Sequence, residues 1–126
     1  GRRMRKNRKE PELMYPKNSR RKKRMHHPQS ILQEKNGVCF LCAVLENNTR
    51  QQYGLHKHHV FFGPNRQRSE EDGLFVYLCI RHHETGPDAV HRDKGSRVML
   101  QVYAQEVYEK THTREQFVAR YGRSYI

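Results

Sequence analysis

The sequence has little apolar material and no long apolar run. Of its 126 residues, 34% are hydrophobic and 30% are charged, so a single domain of this length can bury only a thin hydrophobic core. No run is long enough to cross a membrane, and neither a signal peptide nor a membrane anchor is visible. We therefore expect a cytoplasmic protein without membrane contact, whose fold needs a stabilising element besides its core.

Disulfides cannot use all of the cysteines, because the chain has three, an odd number. Two of them form the pair Cys39-x-x-Cys42, a spacing that suits one metal ion better than a disulfide and indicates a reducing compartment. Cys79-x-x-His82 repeats the same gap. Because structural zinc takes four thiolate or imidazole ligands in a tetrahedron, the two pairs predict a Cys3His zinc site. The alternative is that Cys79 is a buried strand residue and His82 a surface residue.

Acidic residues are scarce near the N-terminus. Residues 1–30 contain twelve Lys or Arg and two Glu, a net charge of +10, whereas residues 31–126 carry a net charge of only +2. Such a segment repels itself and is expected to be disordered when alone. We interpret it as an arm that neutralises nucleic-acid phosphates and releases their counterions; a solvated tail is the alternative. The most basic part of this arm is the run Arg20, Arg21, Lys22, Lys23 and Arg24.

From about residue 31 onward the sequence predicts one folded domain, residues 31–126, of the α+β class. The segment "ILQEKNGVCFLC" predicts a short helix that ends at Gly37 and leads into a tight cysteine knuckle. Two segments, 53–62 and 73–79, predict the strands of a long-looped hairpin, because the first alternates and the second is rich in β-branched and aromatic residues. A helix should begin near Ile80, directly after the second strand.

Two further helices are predicted in the C-terminal part. Thr113 and Gln116 have the spacing of a capping box and predict a short helix over 114–121 that stops at Gly122. The helix before it is amphipathic. Its predicted core-facing residues are Leu100, Tyr103, Ala104 and Val107.

Histidines are concentrated in two short stretches, "HKHHV" and "CIRHHE". The zinc site uses one of these five histidines, and among the remaining four we single out His58, His59 and His83. Neighbours on a strand point to opposite sides, and a hairpin followed by a helix can bring these three side chains together. Such a group suits phosphodiester hydrolysis, in which a divalent ion neutralises charge on the phosphate and a neutral imidazole takes a proton from water.

The segments "HKHHVFFG" and "LFVYLCIRHHETG", with the cysteine pairs around them, resemble the zinc-braced HNH endonucleases of the ββα-metal group found in phages and prophages. The resemblance covers about residues 37–92, against which a helical part, residues 96–122, is expected to pack. It implies a small zinc-stabilised ββα-metal fold and metal-dependent hydrolysis of DNA with little intrinsic sequence specificity. It also implies that His58 and His83 bind the catalytic ion and that His59 is the general base.

The chain departs from the family at its middle asparagine, because Gly73 stands near the expected place. Asn65 is the only asparagine between the motif histidines, so either it serves from the hairpin loop or the role is absent. His91 is either a further ligand of the catalytic ion, a phosphate contact, or a surface residue. Three basic residues flank the site and are candidate phosphate contacts, although each also fits plain surface. These are Lys57, Arg66 and Arg81.

The expected cofactors are a structural zinc ion and a catalytic Mg2+ or Mn2+. Because imidazole is softer than the carboxylates that Mg2+ prefers, other divalent transition metals are also expected to support the reaction. The expected partner is DNA and, at the level of the family, a recombination or packaging protein of phage or mobile-element type. The alternative is a zinc-ribbon-like module that binds nucleic acid without catalysis, holds one metal ion and binds regardless of His59. A ribosomal-type RNA-binding protein would account for the arm but not for the clustered histidines.

Overall fold

The computed structural model describes residues 28–126, so the proposed basic arm, including the run from Arg20 to Arg24, lies outside the described residues. The described part is a small α+β domain with two antiparallel strands and several helices, as the sequence predicted. No helix within these residues is both long enough and apolar enough to span a bilayer. The elements in chain order are α1 (Phe40–Glu46), β1 (His56–His59), α2 (Arg66–Glu71), β2 (Phe75–Leu78), a π-helical turn (Arg81–Thr85), α3 (Lys94–Tyr108) and α4 (Arg114–Tyr121).

The two strands form the predicted long-looped hairpin. His56 pairs with Leu78 at one end of the ladder, and His59 pairs with Phe75 at the other. The connection contains two short helices that the sequence did not indicate, a 3-10 turn at Gly63–Asn65 and helix α2. Because strand side chains alternate, His56 and His58 lie on one face of β1 and Lys57 and His59 on the other.

The prediction of a helix before Gly37 is wrong. The Ser30 hydroxyl accepts hydrogen bonds from the backbone N–H groups of Leu32 and Gln33, a local arrangement that competes with helix formation. The Gln33 side chain then donates to the Val38 carbonyl at 2.6 Å and accepts from the Tyr77 N–H at 2.8 Å. These bonds hold the segment alongside β2 in an irregular, non-helical conformation. The reversal at Gly37 is confirmed, with φ of 81°.

The face that α3 buries overlaps the predicted one but is rotated from it, and Val107 is partly buried against the core. Leu100 and Ala104 are buried as expected, but Tyr103 is 36% exposed. Gln105 is instead fully buried, because its side chain donates to Ser124 Oγ at 3.0 Å and accepts from the Tyr125 N–H at 2.7 Å. A pattern of apolar residues cannot reveal a polar core residue of this kind.

The predicted last helix is confirmed. Thr113 caps α4 in a complete capping box with Gln116, and Gly122 ends the helix with φ of 95°. Phe61, which follows β1, packs its ring against this helix, with centroids 5.4 Å from Phe117 and 4.8 Å from Tyr121. This aromatic cluster attaches the C-terminal helices to the hairpin.

Candidate metal centres

Four side chains from three elements meet at the predicted zinc site. Cys39 is the N-cap of α1 and Cys42 lies in its first turn. Cys79 follows the end of β2, and His82 lies in the π-helical turn. The cysteine knuckle therefore faces the exit of the hairpin, as the paired spacings predicted.

The distances within this group match a tetrahedral ion. Zinc bonds of about 2.3 Å to sulfur and about 2.0–2.1 Å to nitrogen place two sulfurs about 3.8 Å apart and a sulfur and a nitrogen about 3.5 Å apart. Cys42 Sγ and Cys79 Sγ lie 3.8 Å apart. The Nδ1 atom of His82 lies 3.4 Å from Cys42 Sγ, 3.5 Å from Cys79 Sγ and 3.7 Å from Cys39 Sγ. The group could bind a metal ion such as zinc.

The surroundings of the sulfurs also suit a metal-bound thiolate. Burial raises the pKa of Cys39 to about 12, even though the backbone N–H groups of Cys79 and Cys42 donate to its sulfur. A thiol in this position needs a cation to become a thiolate. The sulfur of Cys42 receives two further donors, the Gln52 amide at 3.4 Å and the Arg81 guanidinium at 3.8 Å. Both would stabilise negative charge on the cluster.

The other ring nitrogen of His82 faces two carboxylates. His82 Nε2 lies 3.3 Å from Glu46 Oε2 and 3.7 Å from Asp88 Oδ2. Within residues 28–126 neither Nε2 nor the buried Oδ1 of Asp88 has a hydrogen-bond partner of good geometry. Metal-bound histidines commonly direct the second ring nitrogen to a carboxylate, which fixes the tautomer. With Nδ1 facing the sulfurs, His82 places Nε2 near two carboxylates, although neither contact is a hydrogen bond within residues 28–126.

A second group of imidazoles lies beside the hairpin, and we call it the histidine centre. It consists of His58 on β1, His83 in the π-helical turn and His91 in the following loop, which offer ligand atoms within 4.8 Å of one another. The Nε2 atoms of His83 and His91 are 3.0 Å apart. Two nitrogens bound at right angles to one ion at about 2.1 Å have this separation, which also fits an N–H···N hydrogen bond.

Exposure increases across the histidine centre. His58 is buried, the His83 side chain is 13% exposed, and His91 is exposed. An ion held there would be anchored on the protein side and open on the other, as catalytic sites require for water and substrate.

The buried histidine of this centre is held in its neutral form. Burial lowers the pKa of His58 to about 3, and the neighbouring imidazoles of His83 and His91 add to the effect. The pKa of His83 is also lowered, first by burial and then by His91 and His56. Neutral imidazoles have the lone pair that a metal ion requires.

His56 supports the centre from the same face of β1. Its Nδ1 atom lies 2.9 Å from Nδ1 of His83. His83 therefore has one ring nitrogen directed to His91 and the other hydrogen-bonded to His56. That is the arrangement of a ligand whose orientation is fixed by a neighbouring side chain.

His59, the predicted base, lies on the other face of β1 and contacts a residue that the sequence did not single out. Its Nε2 atom is 2.7 Å from Oε1 of Glu70, on helix α2. Lys57 approaches the same carboxylate, with Nζ at 3.2 Å and 3.3 Å from its oxygens. Burial raises the pKa of Glu70, but the hydrogen bonds from His59 and Lys57 outweigh that effect and the net shift is downward.

The chain matches no protein-family model, no curated protein and no solved structure. The geometry of the two centres and of the His59–Glu70 pair therefore has to indicate the chemistry by itself.

The remaining predicted site residues are not gathered in one place. The Asn65 amide donates to the Tyr121 carbonyl at 3.1 Å, and its oxygen accepts from Arg68, so it fastens the hairpin loop to the end of α4. Arg81 forms a bidentate ion pair with Glu46, in which each of its two terminal nitrogens lies 2.8 Å from one carboxylate oxygen. Arg66 is exposed at the start of α2. The roles of these residues towards DNA stay predictions.

Proposed function

We propose that the protein is a metal-dependent endonuclease of the HNH type that hydrolyses DNA phosphodiester bonds, with Cys39, Cys42, Cys79 and His82 as a structural zinc site. The observation that carries the proposal is the convergence of three imidazoles at the histidine centre, one strand position away from a histidine that is paired with a carboxylate. A protein whose zinc is only structural does not require a second group of converging imidazoles.

The histidine centre supplies the metal-binding half of the chemistry. His58, His83 and His91 would hold a divalent ion, which when bound neutralises charge on the scissile phosphate and the leaving oxygen. His56 keeps the His83 ring in position through its hydrogen bond. The ion would be Mn2+ or Mg2+; a set of three imidazoles without a carboxylate also suits Co2+ or Ni2+.

His59 supplies the other half. Its ring is held by Glu70 at 2.7 Å, and as a neutral imidazole it would take a proton from the attacking water. Because His58 and His59 are neighbours on β1, the metal ligand and the base are fixed relative to one another by the strand itself.

DNA binding would come mainly from charge. In this proposal residues 1–30 contact phosphates, with a net charge of +10, and Arg66 adds an exposed contact beside the hairpin. Phosphate contacts position a nuclease without reading sequence. Affinity should therefore fall steeply with salt, while preference among sequences stays slight.

Cleavage of supercoiled plasmid tests this function. Wild type, His59→Ala and His112→Ala are compared with Mg2+, Mn2+, Co2+ or EDTA, after circular dichroism has shown that each is folded. His112 is the matched control, because its ring stacks on Tyr108 at the end of α3 and belongs to neither centre. We expect wild type and His112→Ala to nick or linearise the plasmid with a divalent ion and His59→Ala to lose activity by about 10²-fold or more.

Binding is measured in parallel by mobility shift in buffer without added divalent ion, because a chelator would also remove the structural zinc. All three proteins should bind equally, which separates chemistry from affinity. If wild type binds but does not cut with any ion, the nuclease proposal fails and a non-catalytic, zinc-ribbon-like nucleic-acid-binding module takes its place.

A further inference from the structure

We infer that Glu70 is a positioning residue that holds His59 in the tautomer with its proton on Nε2, so that Nδ1 is the nitrogen that accepts the proton from water. The inference rests on the proposed function, since it assigns a role within the same site. It adds a residue to the site and specifies which atom of the base reacts.

The contact itself is short and specific. Oε1 of Glu70 lies 2.7 Å from Nε2 of His59, within the range of charge-assisted hydrogen bonds. The two residues belong to different elements, α2 and β1, eleven positions apart in the chain. The His59 side chain is only 9% exposed, so water competes little for its Nε2 atom.

The helix that carries Glu70 is anchored to the hairpin by the preceding residue. Ser69 is fully buried, its hydroxyl donates to the Leu74 carbonyl, and it accepts from the Phe61 N–H at 3.2 Å. The Leu74 N–H in turn donates to the Ser69 carbonyl at 2.8 Å. The backbone of Glu70 is therefore fixed to both strand ends, which gives its carboxylate one defined approach to His59.

The chemistry of the pair decides the position of the proton. An ionised carboxylate has only acceptor oxygens, so the hydrogen between Glu70 and His59 belongs to Nε2. A neutral imidazole with its proton on Nε2 has its lone pair on Nδ1. With Nε2 occupied by the hydrogen bond to Glu70, Nδ1 is the ring nitrogen that would accept a proton from water.

Lys57 compensates for the charge that Glu70 brings to the site. An unpaired carboxylate near a phosphodiester would repel it. Lys57 Nζ lies 3.2 Å from Oε1 of Glu70 and 4.3 Å from the centre of the Phe75 ring, so the cation is held on the same face as His59. The carboxylate can thus orient the imidazole without adding net negative charge.

The proton balance of the step follows. As the water oxygen forms its bond to phosphorus, one water proton moves to Nδ1 of His59, and the bond from phosphorus to the leaving oxygen breaks. The leaving alkoxide takes a proton from solvent. His59 is then an imidazolium with hydrogens on both nitrogens, and the Glu70 carboxylate stabilises its positive charge until the proton on Nδ1 returns to solvent.

Three variants test the inference. Glu70→Ala removes the acceptor. Glu70→Gln keeps an oxygen that accepts from Nε2–H but removes the charge. Because it preserves the side-chain volume, it can still be measured if Glu70→Ala does not fold. Glu71→Ala is the matched control on the same helix, because Glu71 pairs with Arg120 at 2.8 Å and not with His59.

The first measurement is single-turnover plasmid cleavage at saturating Mn2+. We expect Glu70→Ala to lower the rate by about 10²-fold with unchanged DNA binding, Glu70→Gln to stay within about tenfold of wild type, and Glu71→Ala to match wild type. Equal rates for Glu70→Ala and wild type would overturn the inference while leaving the proposed function intact.

The second measurement does not depend on cleavage. Long-range proton–nitrogen NMR correlations of the imidazole rings report the tautomer of His59 directly. Wild type, Glu70→Gln and Glu71→Ala should show the proton on Nε2, and Glu70→Ala should show a mixture of the two tautomers. A wild-type His59 with its proton on Nδ1 would refute the inference. If instead no protein cleaves but the tautomer is as expected, the nuclease proposal fails and the positioning role of Glu70 stands.

Discussion

Replacement of His82 tests whether the cysteine cluster holds a metal that stabilises the fold. The side chain of His82 is fully buried, and deletion of a large buried side chain costs roughly 2–5 kcal/mol before any loss of metal is counted. Loss of one of four ligands weakens the metal site as well. We therefore expect His82→Ala to lose at least about 3 kcal/mol, which for a domain of about 100 residues lowers the melting temperature by about 12–24 °C.

His82→Cys distinguishes the contribution of the metal to stability from the contribution of the imidazole ring. Zinc accepts four thiolates as readily as three thiolates and an imidazole, so this variant should keep its metal and recover most of the lost stability. Thermal unfolding followed by circular dichroism gives the melting temperatures. Substitution with Co2+ reports on the cysteine cluster alone, because only this centre gives thiolate-to-cobalt charge transfer.

Two results would refute the reasoning about the cluster. The first is wild type that gives no thiolate-to-cobalt band and melts at the same temperature with and without a strong chelator. The second is His82→Ala and His82→Cys melting together, which would show that the imidazole is needed for packing and not for a metal.

Three further changes test how the elements are held around the two centres. Phe61→Ala removes the ring that joins the hairpin to α4, and it should lower the free energy of unfolding in urea by about 3–5 kcal/mol. A loss below about 1 kcal/mol would contradict the role given to the aromatic cluster. Thr113→Ala removes the N-cap of α4 and should cost about 1 kcal/mol in the same assay. Gly86→Ala would place a Cβ atom 2.7 Å from the Arg81 carbonyl oxygen; we expect calorimetric titration to show weakened metal binding at the histidine centre while the thiolate-to-cobalt band remains.

The parts of the site that depend on local spacing were predictable from the sequence. Cys39 and Cys42 are brought together by a single helical turn, and Cys79 and His82 by the turn after β2. Because each pair of ligands is formed locally, a single tertiary contact between the two pairs completes the tetrahedron. The equal spacing of the two pairs in the sequence indicated that contact. The two strands and the capping box at Thr113 were visible for the same reason, since each depends on neighbouring residues.

The parts that depend on side-chain pairing across the fold were not predictable. Nothing in "RSEEDG" distinguishes Glu70 from Glu71, yet one pairs with His59 and the other with Arg120. The helix expected before Gly37 failed because Gln33 hydrogen-bonds to β2, a partner 44 residues away. Such contacts depend on the relative placement of elements, which hydrophobic pattern and propensity do not encode.

The π-helical turn explains how one short segment can serve both centres. His82 and His83 are consecutive, but His82 points at the sulfurs and His83 at His91. The turn closes with a hydrogen bond of 2.7 Å from the Gly86 N–H to the Arg81 carbonyl, the wider i to i+5 spacing that is often found at functional sites. Metal binding at the cysteine cluster would fix His82 and thereby the backbone of His83.

The same segment also places the third ligand of the histidine centre. The Val90 N–H donates to the His82 carbonyl at 2.9 Å, and the His91 N–H lies 3.3 Å from the His83 carbonyl. The loop that carries His91 is therefore fastened directly to the turn that carries the other ligands. If the cysteine cluster binds zinc, its effect on the proposed nuclease would reach beyond stability, because it would hold two of the three imidazoles at the spacing that an ion requires.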